Sequence, residues 1–339
     1  MAKLEFGCLP TAIGSMPHTD PKEACSLVMK YLPDIPAWPQ LPQRSIKERM
    51  DIQFSEGFPG ITHHEDKLYI EPSANFEVVA KQIQIDCQQN NLDKYAISAE
   101  YAAGLHAFVS QNQRTGIVKG QITGCITSGL TITKDDQSAL YDKSLSEAIA
   151  KFLRLKASWQ EGTLAKISPN TIIFVDEPYL ASLGSSPLVP DKKVVTLLEE
   201  VFNGIKGIKG IHCCGDTNWA LLVKTSTDIL SFDAYNYTAS FSLYPDEVKA
   251  FLSRGGVIAW GIVPNNEENL SRETVGSLYD RLGEAMAPFT RNGIGFKQIL
   301  RQSLLTPSCG LASLSPEAAC QALELVAKLS HILRGKYSV

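Results

Sequence analysis

From Thr171 onward the sequence repeats one unit five times, a short apolar run followed by an amphipathic helical stretch. The runs are 171–176 (TIIFVD), 210–213, 228–233 (DILSFD), 256–262 (GVIAWGI) and 304–306. Each is too short for a helix and too continuously apolar for a strand with one wet face. Strands buried on both faces and separated by helices pair in parallel through right-handed crossovers. The helices carry their own punctuation. Asp191 is placed to cap 191–202, which Gly204 closes, and Asp216 to cap a helix through Trp219, Leu222 and Val223. Pro245 opens a helix bearing Val248, Phe251 and Leu252, a helical stretch covers 271–286, and Ser315-Pro316 starts a last helix with Gly335 after its final turn.

In the N-terminal half, 11–15 (TAIGS), 95–99 (YAISA) and 116–123 (GIVKGQIT) read as strands. Ser144-Leu145-Ser146-Glu147 has the capping-box pattern at the head of a helix with Ile149, Phe152 and Leu153 on one face. Eight strands with helices between them fit an α/β chain forming one (β/α)8 TIM barrel over 1–339, with an N-terminal insertion whose longest piece is 33–71. No low-complexity linker divides the chain, which favours one domain over two. A doubly wound open sheet is the alternative, but no G-x-G-x-x-G follows an early strand.

Charge narrows the partners. A net charge of −4 without clustered Lys or Arg offers no footprint for nucleic acid or an anionic membrane surface. The longest apolar run, 255–263, is too short to span a bilayer, and the first ten residues hold no signal-peptide run, so a cytoplasmic location is expected. Eight cysteines are too few for a disulfide scaffold. Cys8, Cys25, Cys87, Cys125 and Cys320 stand alone and read as small core residues, whereas Cys213, Cys214 and Cys309 sit beside His, Gly, Asp and Pro.

Four groups fall at the C-terminal ends of expected strands, where barrel enzymes keep their chemistry: Asp176-Glu177-Pro178, His212-Cys213-Cys214-Gly215, Asp233, and Thr306-Pro307-Ser308-Cys309-Gly310. Residues two apart in a strand share a face, so His212 and Cys214 point the same way and Cys213 points away. Cys309 can reach the same place from the last strand. One nitrogen and two sulfurs suit zinc and leave a fourth tetrahedral position open. The plain alternative is a core histidine with packed cysteines; a third residue at the end of a later strand favours the metal. Two thiolates leave such a site little positive charge for making hydroxide, but suit it to holding a substrate thiol, whose free pKa is about 8.5, as thiolate. The chemistry expected is alkyl transfer to sulfur.

His-x-Cys-Gly after a strand, the strand ending DILSFD and the final P-x-C-G-L resemble the catalytic half of cobalamin-independent methionine synthase and the related zinc-dependent methylcobalamin:thiol methyltransferases. Ile13-Gly14-Ser15, Lys119-Gly120-Gln121-Ile122-Thr123 and Asp176-Glu177-Pro178 add to the resemblance, which runs from about Thr11 to Leu325. That superfamily, which includes uroporphyrinogen decarboxylase, has a (β/α)8 barrel.

The resemblance implies His212, Cys214 and Cys309 as zinc ligands, with Asp233 nearest to a further acidic ligand; a strand-end cap is the other reading of Asp233. It implies Asp176 as holder of the amino group of the acceptor, against a helix cap or ion pair, and Ile13, Gly14 and Ser15 as the contact for its carboxylate. Segment 35–58 looks more like the opening of uroporphyrinogen decarboxylase and the corrinoid methyltransferases, with Arg44 either binding a substrate carboxylate or phosphate or forming a surface ion pair. The activity implied is methyl transfer from methylcobalamin, a corrinoid protein or methyl-folate to a small-molecule thiol such as homocysteine, forming methionine. The chain length leaves no room for the second barrel of the folate-using enzymes, which points to a corrinoid donor. A cofactor-free decarboxylase and a non-catalytic zinc- or corrinoid-binding module are the alternatives.

Overall fold

Seven parallel strands curl into one sheet: β1 (Leu9–Pro10), β2 (Ile117–Thr123), β3 (Asn170–Asp176), β4 (Ile208–Cys213), β5 (Ile229–Phe232), β6 (Val257–Val263) and β7 (Ser303–Pro307). The structure is a computed structural model that describes residues 4–64, 67–71, 76–111, 114–183 and 189–339. The strands run side by side in the order β1-β7-β6-β5-β4-β3-β2. From β3 to β7 every strand pairs with its predecessor, as successive β–helix–β units require, and β1 sits beside β7, so the sheet turns back on itself.

The space between β1 and β2 is filled by an extended stretch, residues 35–40. Lys119 N donates to Pro36 O (2.9 Å) and Trp38 N to Lys119 O (3.3 Å) on one side; Gln40 N donates to Gly14 O (3.0 Å) and Met16 N to Gln40 O (2.8 Å) on the other. These isolated bridges complete an eight-position TIM-like barrel. The eighth position therefore lies inside the 33–71 segment read as an insertion. The rest of that segment contributes Ile61–His64 and Lys67–Ile70 to a small side sheet with Ile132–Lys134 and Gln137–Ser138, while residues 65–66 lie outside the described residues.

Two strand expectations need correction. Residues 95–99 form the end of a short 3-10 turn (Asp93–Tyr95) and an irregular stretch. Side chains satisfy its polar groups in place of a ladder: Lys156 Nζ donates to Ala96 O (3.2 Å) and Ser98 N donates to Glu56 Oε2 (2.9 Å). At the N-terminus the ladder is Leu9–Pro10, and 11–15 continue it in extended form to the bridge at Ser15.

Long helices cover the outside, among them α1 (Pro21–Tyr31), α2 (Lys143–Leu164), α3 (Asp191–Phe202), α4 (Pro245–Ser253), α5 (Val275–Arg291) and α6 (Pro316–Tyr337). Several starts shift by a few residues toward whichever side chain reaches the free amides. Asp142, not Ser144, caps α2 by accepting from Leu145 N, and Asn218, not Asp216, caps the single turn Trp219–Leu222. Asp191 is the first residue of α3 after Pro190, α5 begins after a Thr274–Ser277 capping box, and α6 runs through Gly335. Among the described residues no helix is long and apolar enough to cross a membrane.

The core has two shells. Outside the sheet, strand and helix side chains mesh around a cluster of Trp219, Phe232, Phe241, Trp260 and Phe289. Inside the barrel, Phe6, Ile35, Ile172, Phe174, Ile229, Val257, Ala259 and Leu304 pack the end where the strands begin. Alternation then decides what reaches the other end. The face of β3 with Ile172 and Phe174 also carries Asp176, and the face of β5 with Ile229 also carries Ser231 and Asp233.

Candidate metal and substrate site

Toward the C-terminal ends of the strands the lumen turns polar, with Lys119, Gln121, Asp176, His212, Ser231 and Thr306 all buried. His212 on β4, Cys214 just past its end and Cys309 just past β7 bring one ligand atom each to within 4.8 Å of one another. His212 Nδ1 lies 2.9 Å from Ser231 Oγ on the neighbouring strand. Its other nitrogen, Nε2, is buried without a hydrogen-bond partner. A metal-binding histidine has this arrangement, one nitrogen held from behind and the other left for the ion.

The two thiols act on each other's titration. The Cys309 thiol donating to Cys214, with the His212 ring alongside, holds Cys214 down to about 4, against the opposing effect of burial. The same contact, with burial, pushes Cys309 well above the ordinary thiol range. Two converging sulfurs and an imidazole nitrogen lacking a partner are a donor set that fits zinc, whose binding would displace the thiol proton. Cys213 faces away as expected: its Sγ donates to Gly215 O (3.6 Å), and burial pushes its thiol up to about 12.

Ser231→Ala tests the support behind the ring. Freeing Nδ1 is expected to loosen zinc by about 10- to 100-fold while the fold is kept, read by competition with a chromogenic chelator. Unchanged affinity would mean that the ring is fixed by packing alone.

Next to this trio lies Asp176, 7% exposed, with Oδ1 lacking a partner. Burial pushes its carboxyl up to about 6, opposed chiefly by the Lys119 ammonium group. Asp233 takes the capping role instead: Oδ1 accepts from Asn236 N (2.9 Å) and Oδ2 from Asn236 Nδ2 (2.7 Å), at the head of the helix Ala234–Phe241. The ligand atoms that converge are those of His212, Cys214 and Cys309, without Asp233. Glu177 is also committed, accepting from Ile126 N (2.9 Å), Thr127 N (2.7 Å) and Thr127 Oγ1 (2.7 Å).

His212, Cys214, Cys309 and Asp176 open into a cavity of about 480 Å³. Ile13, Ser15 and Gln40 form one wall, Arg49, Met50 and Asp51 another, and Tyr179, Asn265 and Gly310 stand at the rim. Gly14 has φ +152°, and a Cβ there would come within 2.5 Å of the Gln121 side chain; a Cβ on Gly310 would come within 2.0 Å of Ser15 Oγ. The 13–15 segment is therefore wedged between the lumen and the loop that carries Cys309. Arg44 is outside the cavity wall, in an ion pair with Glu48 (2.7 Å). The arginine on the wall is Arg49, held by Asp51 (2.9 Å). The sequence offers both arginines within five residues, and only the path of 41–50 separates them.

A cavity of about 530 Å³ lies at the opposite end of the barrel, lined by Asn170, Thr171, Lys206 and Gly207. Its buried acid, Glu161, accepts from Thr171 Oγ1, Lys206 N and Gly207 N, so both carboxylate oxygens are already bonded. The chemistry belongs to the mouth.

No protein-family model and no curated protein sequence matches the chain. Among solved structures it is similar to a B12-independent methionine synthase from Shewanella sp. W3-18-1 in complex with selenomethionine, at TM-score 0.60 and 16% identity over 99% of each chain. It is also similar to a methyltransferase from Methanosarcina mazei, at TM-score 0.61 and 13% identity over 97% of this chain and 94% of that one. At such identities the likeness is one of fold: over nearly its whole length, the chain is built on the same barrel as this methionine synthase and this methanogen methyltransferase.

Proposed function

We propose that the chain is a zinc-dependent methyltransferase that moves a methyl group from a donor, methylcobalamin, a corrinoid protein or methyl-folate, to a small-molecule thiol such as homocysteine, forming methionine. The observation that carries this reading is the convergence of a partnerless His212 Nε2 with the Cys214 and Cys309 sulfurs at the mouth of one cavity. His212, Cys214 and Cys309 would hold the metal. Zinc held there would supply Lewis acidity that lowers the proton affinity of an acceptor thiol, making it nucleophilic at neutral pH.

The chain's own residues supply position. Asp176 offers its partnerless oxygen to an acceptor ammonium group, a charge-assisted contact. The backbone of Ile13, Gly14 and Ser15, on the facing wall, receives the carboxylate end. Ser231 keeps the His212 ring in register. The sulfur is thereby held in line for attack on the methyl group, and most of the acceleration comes from positioning. A cytoplasmic setting, where thiols stay reduced, suits such a site.

A decarboxylase of the uroporphyrinogen type would need basic residues around a large polyanionic ring and has no use for three convergent metal ligands. The arginine on this cavity wall, Arg49, already pairs with Asp51. A binding module would take up zinc but leave the donor untouched. Metal analysis of the purified protein is expected to give close to one zinc per chain, and less than roughly half would overturn the proposal. A thiol screen with methylcobalamin, comparing homocysteine, coenzyme M and simple thiols, then separates enzyme from binding module. Activity should disappear with a chelator and return with zinc.

A further inference from the structure

Lys119 has no part in the mechanism above, yet its ammonium group is fully buried in the barrel lumen. Nζ donates to Ile13 O (2.7 Å) and to Gln121 Oε1 (3.2 Å) and stands 4.3 Å from the centre of the Phe174 ring. Among the described residues no carboxylate forms an ion pair with it. Burial lowers its pKa to about 8, opposed by Asp176, so at neutral pH it stays charged. A buried cation with no carboxylate in direct contact is costly, and Asp176 offsets it only from a distance, so a further anion nearby would be favoured.

The carbonyl it holds belongs to Ile13, the first residue of the wall segment 13–15. Gln121, its other partner, fills the space beneath Gly14 and donates to Trp38 O (3.1 Å). Lys119 and Gln121 thus grip the segment from inside the lumen while Gly310 packs against it from the mouth. Fixing the Ile13 carbonyl inward turns the Ile13–Gly14 peptide so that its N–H side faces away from the lysine.

We propose that Lys119 is a positioning residue for the acceptor: through the Ile13 carbonyl it sets the 13–15 backbone, and its buried charge, which no carboxylate contacts directly, favours thiols that carry a carboxylate. The inference rests on the proposed function, since it takes 13–15 as the acceptor wall. With Asp176 across the cavity, the acceptor is then read at both ends, as an amino-acid thiol.

The test uses two thiols differing only in the carboxylate, L-homocysteine and 3-aminopropane-1-thiol, titrated calorimetrically into zinc-loaded protein. Lys119→Met is expected to weaken homocysteine about tenfold and to change 3-aminopropane-1-thiol by less than about twofold, with zinc content unaltered. Lys119→Gln, which keeps a donor in the lumen without the charge, should shift the same ratio in the same direction and serves if the methionine variant does not fold. Equal weakening of both thiols, which a merely structural lysine would give, overturns this inference alone. Failure of the unmodified zinc-loaded chain to bind either thiol overturns the proposed function, and this inference with it.

Discussion

Replacing Cys309 with serine is expected to take zinc from about one per chain to near none and to cut thiol methylation more than about a hundredfold. Cys309 and Cys214 come from strands on different sides of the barrel, and their sulfurs meet only because the barrel curves. A serine hydroxyl at neutral pH is a neutral, hard donor and gives zinc little to hold. The swap is nearly isosteric, so the fold should survive and the loss should trace to the site. Cys213→Ser is the control one residue from a ligand. That side chain points out of the lumen with its own acceptor at Gly215 O, so zinc and turnover should stay and only stability should fall, by about 1 kcal/mol. Full zinc and full turnover in the Cys309 variant would sink the site assignment.

Asp176→Asn is the second large effect. It keeps the shape of the side chain but removes the charge, at a cost of about 2–3 kcal/mol in acceptor recognition, or roughly a 30- to 100-fold rise in acceptor KM with zinc content unchanged. A pH profile adds an independent reading. Burial raises this carboxyl to about 6, above its ordinary 3.8, so the charged form dominates only above that pH. Acceptor affinity should therefore be present at neutral pH and fall as pH drops through about 6. In the asparagine variant that acidic limb should be absent from kcat/KM. If the limb persists there, it belongs to another group, and Asp176 does not hold the ammonium.

The second half of the barrel is legible because parallel strands buried on both faces are mostly apolar, and β3 to β7 stand out as apolar runs. The closing stretch 35–40 is not legible. Pro36 and Pro39 remove the ladder donors by which a strand is recognised, so the segment reads as insertion although it occupies a strand's place. Residues 95–99 mislead in the opposite way, being apolar enough for a strand while Lys156 and Glu56 satisfy their backbone.

In the site, period-two spacing at strand ends is enough to bring out His212, Cys214 and Cys309. Asp233 carried a local sign of its capping role in Asn236, three residues on. Ser231 and Lys119 were missed as supports because a polar residue in a strand ordinarily faces water. Here the lumen is the polar side. The one available sign was a serine in the middle of an otherwise apolar DILSFD, with the histidine on the adjacent strand.

The seam at 35–40 gives the site two parts of unequal durability. The proposed metal ligands stand on β4 and just past the ends of β4 and β7, and β4 lies inside a continuous ladder with a full strand on each side. The proposed acceptor wall hangs from the seam, where a single bridge joins Ser15 to Gln40 and side chains complete the closure: Gln121 to Trp38 O, the Trp38 indole to Gln160, and Gln160 to Gln121 O. Opening there costs far less than unfolding the sheet, and it would bare the edges of β1 and β2 while leaving the metal in place. If the proposed function holds, acceptor recognition is expected to be lost and regained as a local fluctuation, on a faster clock than the loss of zinc.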